Sequence, residues 1–194
     1  MSKIAIMQPT FLPWLGYFAM INRVDTFVFL DSVQFNKRSW QQRNKIKTAQ
    51  GAQWISVPVE SKGLREQLIK DVIVAPDQRA IAKLVNSIRH SYAKASAFQD
   101  HCGQIFEVLE TERNLCELNI KIISVLLDTL GIKTKLYRSS EFGFNSHKDA
   151  LLVDICNHLG FKHYFSAPGS SDYIEELIGL RFTSVAGARA KISL

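Results

Sequence analysis

The sequence predicts an α/β fold, a mostly parallel sheet that starts with a βαβ unit and carries an inserted helical block. Three observations predict it. Two short apolar runs, Ile4-Ala5-Ile6-Met7 and Thr26-Phe27-Val28-Phe29-Leu30, lack the alternation of a half-exposed strand and read as buried parallel strands. Strand, loop, helix and second strand fit within about 30 residues, the span of one βαβ unit. From about residue 77 to 130 the chain reads as helical, and in the first of these helices Ile81, Leu84, Val85 and Ile88 recur at three- and four-residue spacing, as on a helix that buries one face.

Taken in order, Lys3 to Met7 is the first strand, and Pro9 and Pro13 hold the next segment out of regular structure. Tyr17 to Val24 has helical character and leads into the second strand. Asp31 to Gln50 is polar and basic with no strong period, so no element is placed there. Trp54 to Val59 reads as a strand with Pro58 near its end, and Asp71 to Val74 as a short strand. Helices follow at Pro76-Asp77 to Tyr92, Phe98 to Glu112 and Leu115 to Leu130, the last stopped by Gly131. Lys133 to Tyr137 is a strand, Ser146 a candidate cap for a helix from Asp149 to Leu159, and His163 to Ser166 a strand. Ala167 to Ser171 is a tight loop, and Asp172 can cap a final helix through Ile178. The expected organisation is one α/β domain over 1–194 with the helical block inside it.

Composition narrows function. The 194 residues are enough to bury a core without a metal or disulfide staple. No run of about 18 apolar residues exists to span a bilayer, and the start has no secretory pattern. The default expectation is a cytoplasmic protein. Cys102, Cys116 and Cys156 are widely spaced and odd in number, so they read as buried thiols rather than a disulfide framework. The histidines show no ligand spacing, and no metal is expected. Whether a cofactor takes part stays open, and no Walker, Gly-x-Gly-x-x-Gly or Gly-x-Ser-x-Gly pattern occurs.

Charge placement says more than the net +6. No acidic residue lies between Asp31 and Glu60, whereas Lys37, Arg38, Arg43, Lys45 and Lys47 do, close to Trp40 and Trp54. The alternatives are a solvated face, or a basic wall for an anion with a ring to stack on. The cluster is short, so a small phosphorylated ligand or nucleotide sugar ranks above a nucleic acid as partner. Ligands of open α/β sheets bind beyond the carboxyl ends of the strands. Three segments are expected there: Gln8 to Tyr17, Asp31 to Asn44, and Ser166 to Asp172. Gln8 and Thr10 offer hydrogen bonds, and Gly16 at a helix start allows close approach of an anion or simply close packing. Ser166, Gly169 and Ser170 form either a phosphate cradle or an ordinary turn. Lys148 at a helix start opposes the helix dipole, a modest hint of an anion nearby. Asp31 and Asp172 are the candidate catalytic carboxylates. For Asp31 an ion pair with Arg38 or Arg43 stands as the alternative.

At MQPTFLPWLGYF, DTFVFLDSVQFNKRSWQQRNKIK, WISVPV and LLVDICNHLGFKHYFSAPGSSDYI the chain resembles the WbqC-like protein family. The resemblance covers about residues 1 to 178 and implies a role in O-antigen or other surface-polysaccharide biosynthesis, by group transfer to a nucleotide-linked or phosphorylated sugar. A non-catalytic ligand-binding or assembly protein is the alternative. Carried over are Gln8, Pro9, Pro13, Gly16 and Tyr17, then Asp31, Gln34, Arg38, Trp40, Arg43 and Asn44, then Lys148, Ser166, Gly169, Asp172 and Tyr173. Two departures stand out. Asp149 follows Lys148 where the family often has a small or hydroxylated residue. Leu180 to Leu194 does not resemble the family's Tyr- and Pro-rich ending, which leaves open a truncation or frame change and whether the site is complete. Pro9 to Tyr17 is also similar in layout to the strand-loop-helix of HIGH-type nucleotidyltransferases of the HUP class. Trp14-Leu15-Gly16-Tyr17 stands where those have His-x-Gly-His, so the resemblance implies nucleotide binding without their cationic stabilisation.

Overall fold

The computed structural model describes residues 2–166 and the backbone of residues 181–184. In chain order the elements are β1 (Lys3–Met7), α1 (Leu15–Ile21), β2 (Thr26–Phe29), β3 (Arg43–Thr48), β4 (Gly51–Ser56), α2 (Gln78–Tyr92), α3 (Phe98–Thr111), α4 (Leu115–Thr129), β5 (Lys135–Arg138), α5 (Lys148–His158), β6 (His163–Ser166) and β7 (Arg181–Ser184). Single 3-10 turns sit at Ile69–Asp71 and Ser139–Glu141. They form two compact units, each assembled from separate stretches of chain. The first is Met1–Met7, Trp14–Leu30 and Lys133–Leu194; the second is Gln8–Pro13 and Asp31–Ile132.

The first unit is a parallel sheet in the order β5-β2-β1-β6-β7. β1 pairs with β2 from Ile4 opposite Thr26 to Met7 opposite Phe29, and β2 pairs with β5 from Thr26 opposite Lys135. The apolar runs behave as expected of strands covered on both faces: all four residues of β2 are buried, as are Ile4, Ala5 and Ile6. Because every pairing is parallel, Arg138, Phe29, Met7 and Ser166 all end on one edge of this sheet. β7 is a strand that the sequence reading did not place.

The second unit packs α2, α3 and α4 around one apolar cluster that includes Leu84, Phe106, Leu109, Leu115 and Leu118, closed by the β3–β4 hairpin through Ile46 and Ile55. Asp77 caps α2 by accepting from the Ala80 N–H at 2.9 Å, and Asn114 caps α4 by accepting from Glu117 at 3.0 Å. All three helices lie within a residue or two of their expected spans.

Four local expectations are corrected. The basic stretch holds a strand after all: β3 pairs antiparallel with β4 from Arg43 opposite Ser56 to Thr48 opposite Gly51. Its only buried apolar residue is Ile46, and the Ala49-Gln50 connection carries no Asn-Gly turn signal, so neither cue of a hairpin was present. The strand expected at Trp54 to Val59 is therefore shifted, ending at Ser56 ahead of Pro58. Asp71 to Val74 has strand-like alternation, with Val72 and Val74 buried and Ile73 exposed. Its partners are isolated bridges, Val59 with Val74 and Ile73 with Asn114, rather than a continuous ladder. Ser146 does not cap α5: His147 occupies that position with no side-chain cap bond, and the buried Ser146 hydroxyl has no partner among the described residues.

Cys116 and Cys156 are buried and Cys102 half-buried, all as thiols outside any disulfide. In the first unit burial pushes the Cys156 thiol from 9.0 up to about 12. Burial also raises the Tyr164 phenol, which donates to the Ile6 carbonyl at 3.3 Å, with Cys156 and Asp149 adding repulsion. Both groups stay protonated in the folded state at pH values where the unfolded chain loses their protons. Stability therefore falls as pH climbs from 9.0 toward about 12. Urea titrations at pH 8 and 10.5 should show this loss, and Cys156→Ala should make the fall shallower; an equal fall in both proteins refutes the assignment.

Candidate functional site

The β3–β4 hairpin sorts its side chains by strand alternation. Asn44, Ile46 and Ile55 face inward; Arg43, Lys45 and Lys47 lie on the other face with Trp54, which stands directly opposite Lys45. The guanidinium carbon of Arg43 lies 4.3 Å from the Trp54 ring centre, and the Lys45 ammonium 4.9 Å from it. Trp40 joins them with its ring centre 5.3 Å from that of Trp54. Trp40 and Trp54 remain 55% and 42% exposed, a large apolar area held open to solvent. Arg43 stacks on an indole, and among the described residues it pairs with no carboxylate and its buried Nε finds no hydrogen-bond partner. The arrangement offers fixed cations and flat rings together, which is the chemistry for an anion attached to a planar or sugar group.

The loop behind this face is tied down by amides. Gln41, almost fully buried, donates from Nε2 to Gln8 Oε1 at 2.7 Å and accepts from the Asn36 N–H at 2.9 Å. Asn44 donates from Nδ2 to the Phe11 and Leu12 carbonyls at 3.1 and 2.6 Å. The Phe11 N–H donates to the Trp40 carbonyl at 2.8 Å. Asn119, on α4, donates to the carbonyls of Pro9 and Gln41 at 3.3 and 2.8 Å. Two non-glycine residues in this framework are held in the left-handed region, Leu12 at φ 45° and Arg38 at φ 62°. Such backbone costs about 1–3 kcal/mol each and persists only where its surroundings enforce it.

The second unit thus brings together Gln8, Trp40, Arg43 and Asn44, with Thr10 half-buried in the clamped segment. Arg38 is exposed, and its N–H donates to Gln42 Oε1 at 3.1 Å. Gln34 is turned to another loop, donating to the Arg65 carbonyl at 3.0 Å. Asp31 is fully buried; the Cys116 thiol donates to its Oδ2 at 3.9 Å, and its carbonyl accepts from Lys70.

Gly16, Tyr17, Lys148 and Ser166 belong to the first unit. A Cβ on Gly16 would fall 1.7 Å from the Trp14 ring, so the close approach that glycine permits is made by that indole. Tyr17 is fully buried, edge-on to Phe18 and Phe27. Lys148 is exposed at the start of α5 with φ 53°, and Ser166 is buried at the end of β6. Gly169, Ser170, Asp172 and Tyr173 lie outside the described residues, as do the loop and final helix expected at Ala167 to Ile178.

Sequence reasoning missed Gln41 and Asn119. Asn119 did leave a signal: it occupies a core position of α4, between Leu115 and Ile122 on the apolar face. Among the described residues no three His, Cys, Asp or Glu side chains gather to hold a metal, and no helix is long and apolar enough to cross a membrane.

Fold and face together define an α/β protein that presents cations and indoles on a two-stranded ribbon. The chain belongs to the WbqC-like protein family, whose model matches residues 8–186. It is 33% identical over 180 residues to a Mycobacterium tuberculosis protein, "Uncharacterized protein Rv1507c", covering 92% of this chain and 78% of that relative. No solved structure gives a significant match.

Proposed function

We propose that this chain is a transferase of surface-polysaccharide biosynthesis that binds a nucleotide-linked or phosphorylated sugar on the hairpin face and takes part in group transfer to it. The observation that carries the reading is Arg43 over Trp54 beside an exposed Trp40. In this reading Arg43 and Arg38 hold the phosphates and Trp40 stacks on the base or sugar. Gln8, Thr10 and Asn44 shape the adjoining segment. Asp31, enclosed as it is, enters proton transfer only if its surroundings open. Tyr17, Gly16, Lys148 and Ser166, with Gly169, Ser170, Asp172 and Tyr173, complete the set carried by family resemblance, Asp172 being the second carboxylate. Cytoplasmic location and a nucleotidyltransferase-like layout of the sheet belong to the same reading.

A thermal-shift screen with nucleotides, sugar nucleotides, acyl donors and a short oligothymidylate tests it. A ligand that binds only the folded chain at 100 times its Kd adds about 2.7 kcal/mol and raises the melting temperature. Stabilisation by a sugar nucleotide is the expected result. Stabilisation by the oligonucleotide alone, lost steeply with added salt, would transfer the face to nucleic-acid binding.

A further inference from the structure

We infer that Asn119 is the positioning residue of the hairpin face, acting through the backbone it clamps; the inference rests on the reading above for its functional meaning. Its amide bridges two segments far apart in sequence, the Pro9 carbonyl in the strained segment and the Gln41 carbonyl one residue after Trp40. Those segments are then stitched by Phe11 to Trp40 and by Gln41 to Gln8. The orientation of the Asn119 amide is fixed by its partners, because a flipped amide would set its oxygen against two carbonyl oxygens.

The cost of this clamp is the informative part. Asn119 is fully buried, and its Oδ1 has no hydrogen-bond partner among the described residues. A buried acceptor left unpaired destabilises the fold. Leu115, Leu118 and Ile122 around it show that this face of α4 otherwise takes aliphatic residues. An amide kept at that position serves the placement of the two segments more than the stability of the helix. Arg43 lies two residues beyond the clamped carbonyl, so the site of anion binding follows from it directly.

The test uses the intact chain with Asn119→Ala and Asn119→Asp. In Asn119→Ala, hydrogen exchange of the Phe11 amide should quicken at least tenfold while the Ile122 and Ile123 amides of α4 keep their protection. Unchanged exchange at Phe11 refutes the clamp, and equal loss in α4 makes the residue merely structural; either overturns the inference. Affinity for uridine diphosphate, read by calorimetry, should fall at least tenfold in Asn119→Ala. Asn119→Asp donates one hydrogen bond when protonated and none when ionised. Its affinity should therefore recover relative to wild type as pH falls, with no such recovery in Asn119→Ala. If the wild type binds the probe and Asn119→Asp shows no such recovery, the inference is overturned. If the wild type binds no uridine diphosphate, that counts against the functional reading, and the exchange data judge Asn119 alone.

Discussion

Arg43→Ala should weaken binding of a sugar nucleotide by roughly 10- to 150-fold, because hydrogen bonds to charged groups contribute about 1.5–3 kcal/mol. The guanidinium is pre-placed by Trp54 at 4.3 Å. Little side-chain ordering is left to be done at binding. Arg43→Lys should recover only part of the loss, since an ammonium keeps the charge but not the planar fork. Trp54→Ala should have a similar effect by releasing the arginine, and Trp54→Phe a smaller one. Calorimetry with UDP-glucose measures all four, with melting temperatures confirming that each variant is folded. Full affinity in Arg43→Ala would remove the hairpin face as the site.

The legible parts of this chain are those where one local cue decides the outcome. Thr26 to Phe29 is apolar at every position, and only a strand covered on both faces suits such a run; the sheet gives it β1 and β5 as neighbours. Helix α2 carried both a period, Ile81 to Ile88, and an opening at Asp77, and α4 carried its stop at Gly131. β3 was hidden because its outward face is cationic and its inward face holds two polar residues and one isoleucine. Its strand character comes from Trp54 and Ile55 across the ladder, a non-local fact. The site followed the same rule. The charge gap between Asp31 and Glu60 located the basic loop, and Trp40 and Trp54 were near it in sequence. Asn119 lies 78 residues from Gln41, and no spacing rule joins them; only its misfit on an apolar helix face could have raised it. Tyr17, a motif residue, is fully buried among rings in the described structure, which shows that membership of a motif does not separate contact with a ligand from support of a core.

Phe27→Ala should destabilise the protein by about 3–5 kcal/mol, the range for deleting a buried aromatic ring. Phe27 is fully buried on a strand flanked on both sides, and its ring meets Tyr17 at 5.4 Å and Phe29 at 5.2 Å, edge-on in each case. Substitution removes the burial and both ring contacts at once, in a place where rigid β1 and β5 neighbours limit collapse into the cavity. Phe27→Leu keeps most of the volume and should cost less than half as much. The comparison also reads the role of Tyr17. If Tyr17 supports the core through Phe27, then Tyr17→Ala combined with Phe27→Ala should cost less than the sum of the two single changes. Urea unfolding of the four variants measures that coupling. Strict additivity would mean that the two rings contribute separately, and Tyr17 would again be open to a part in binding.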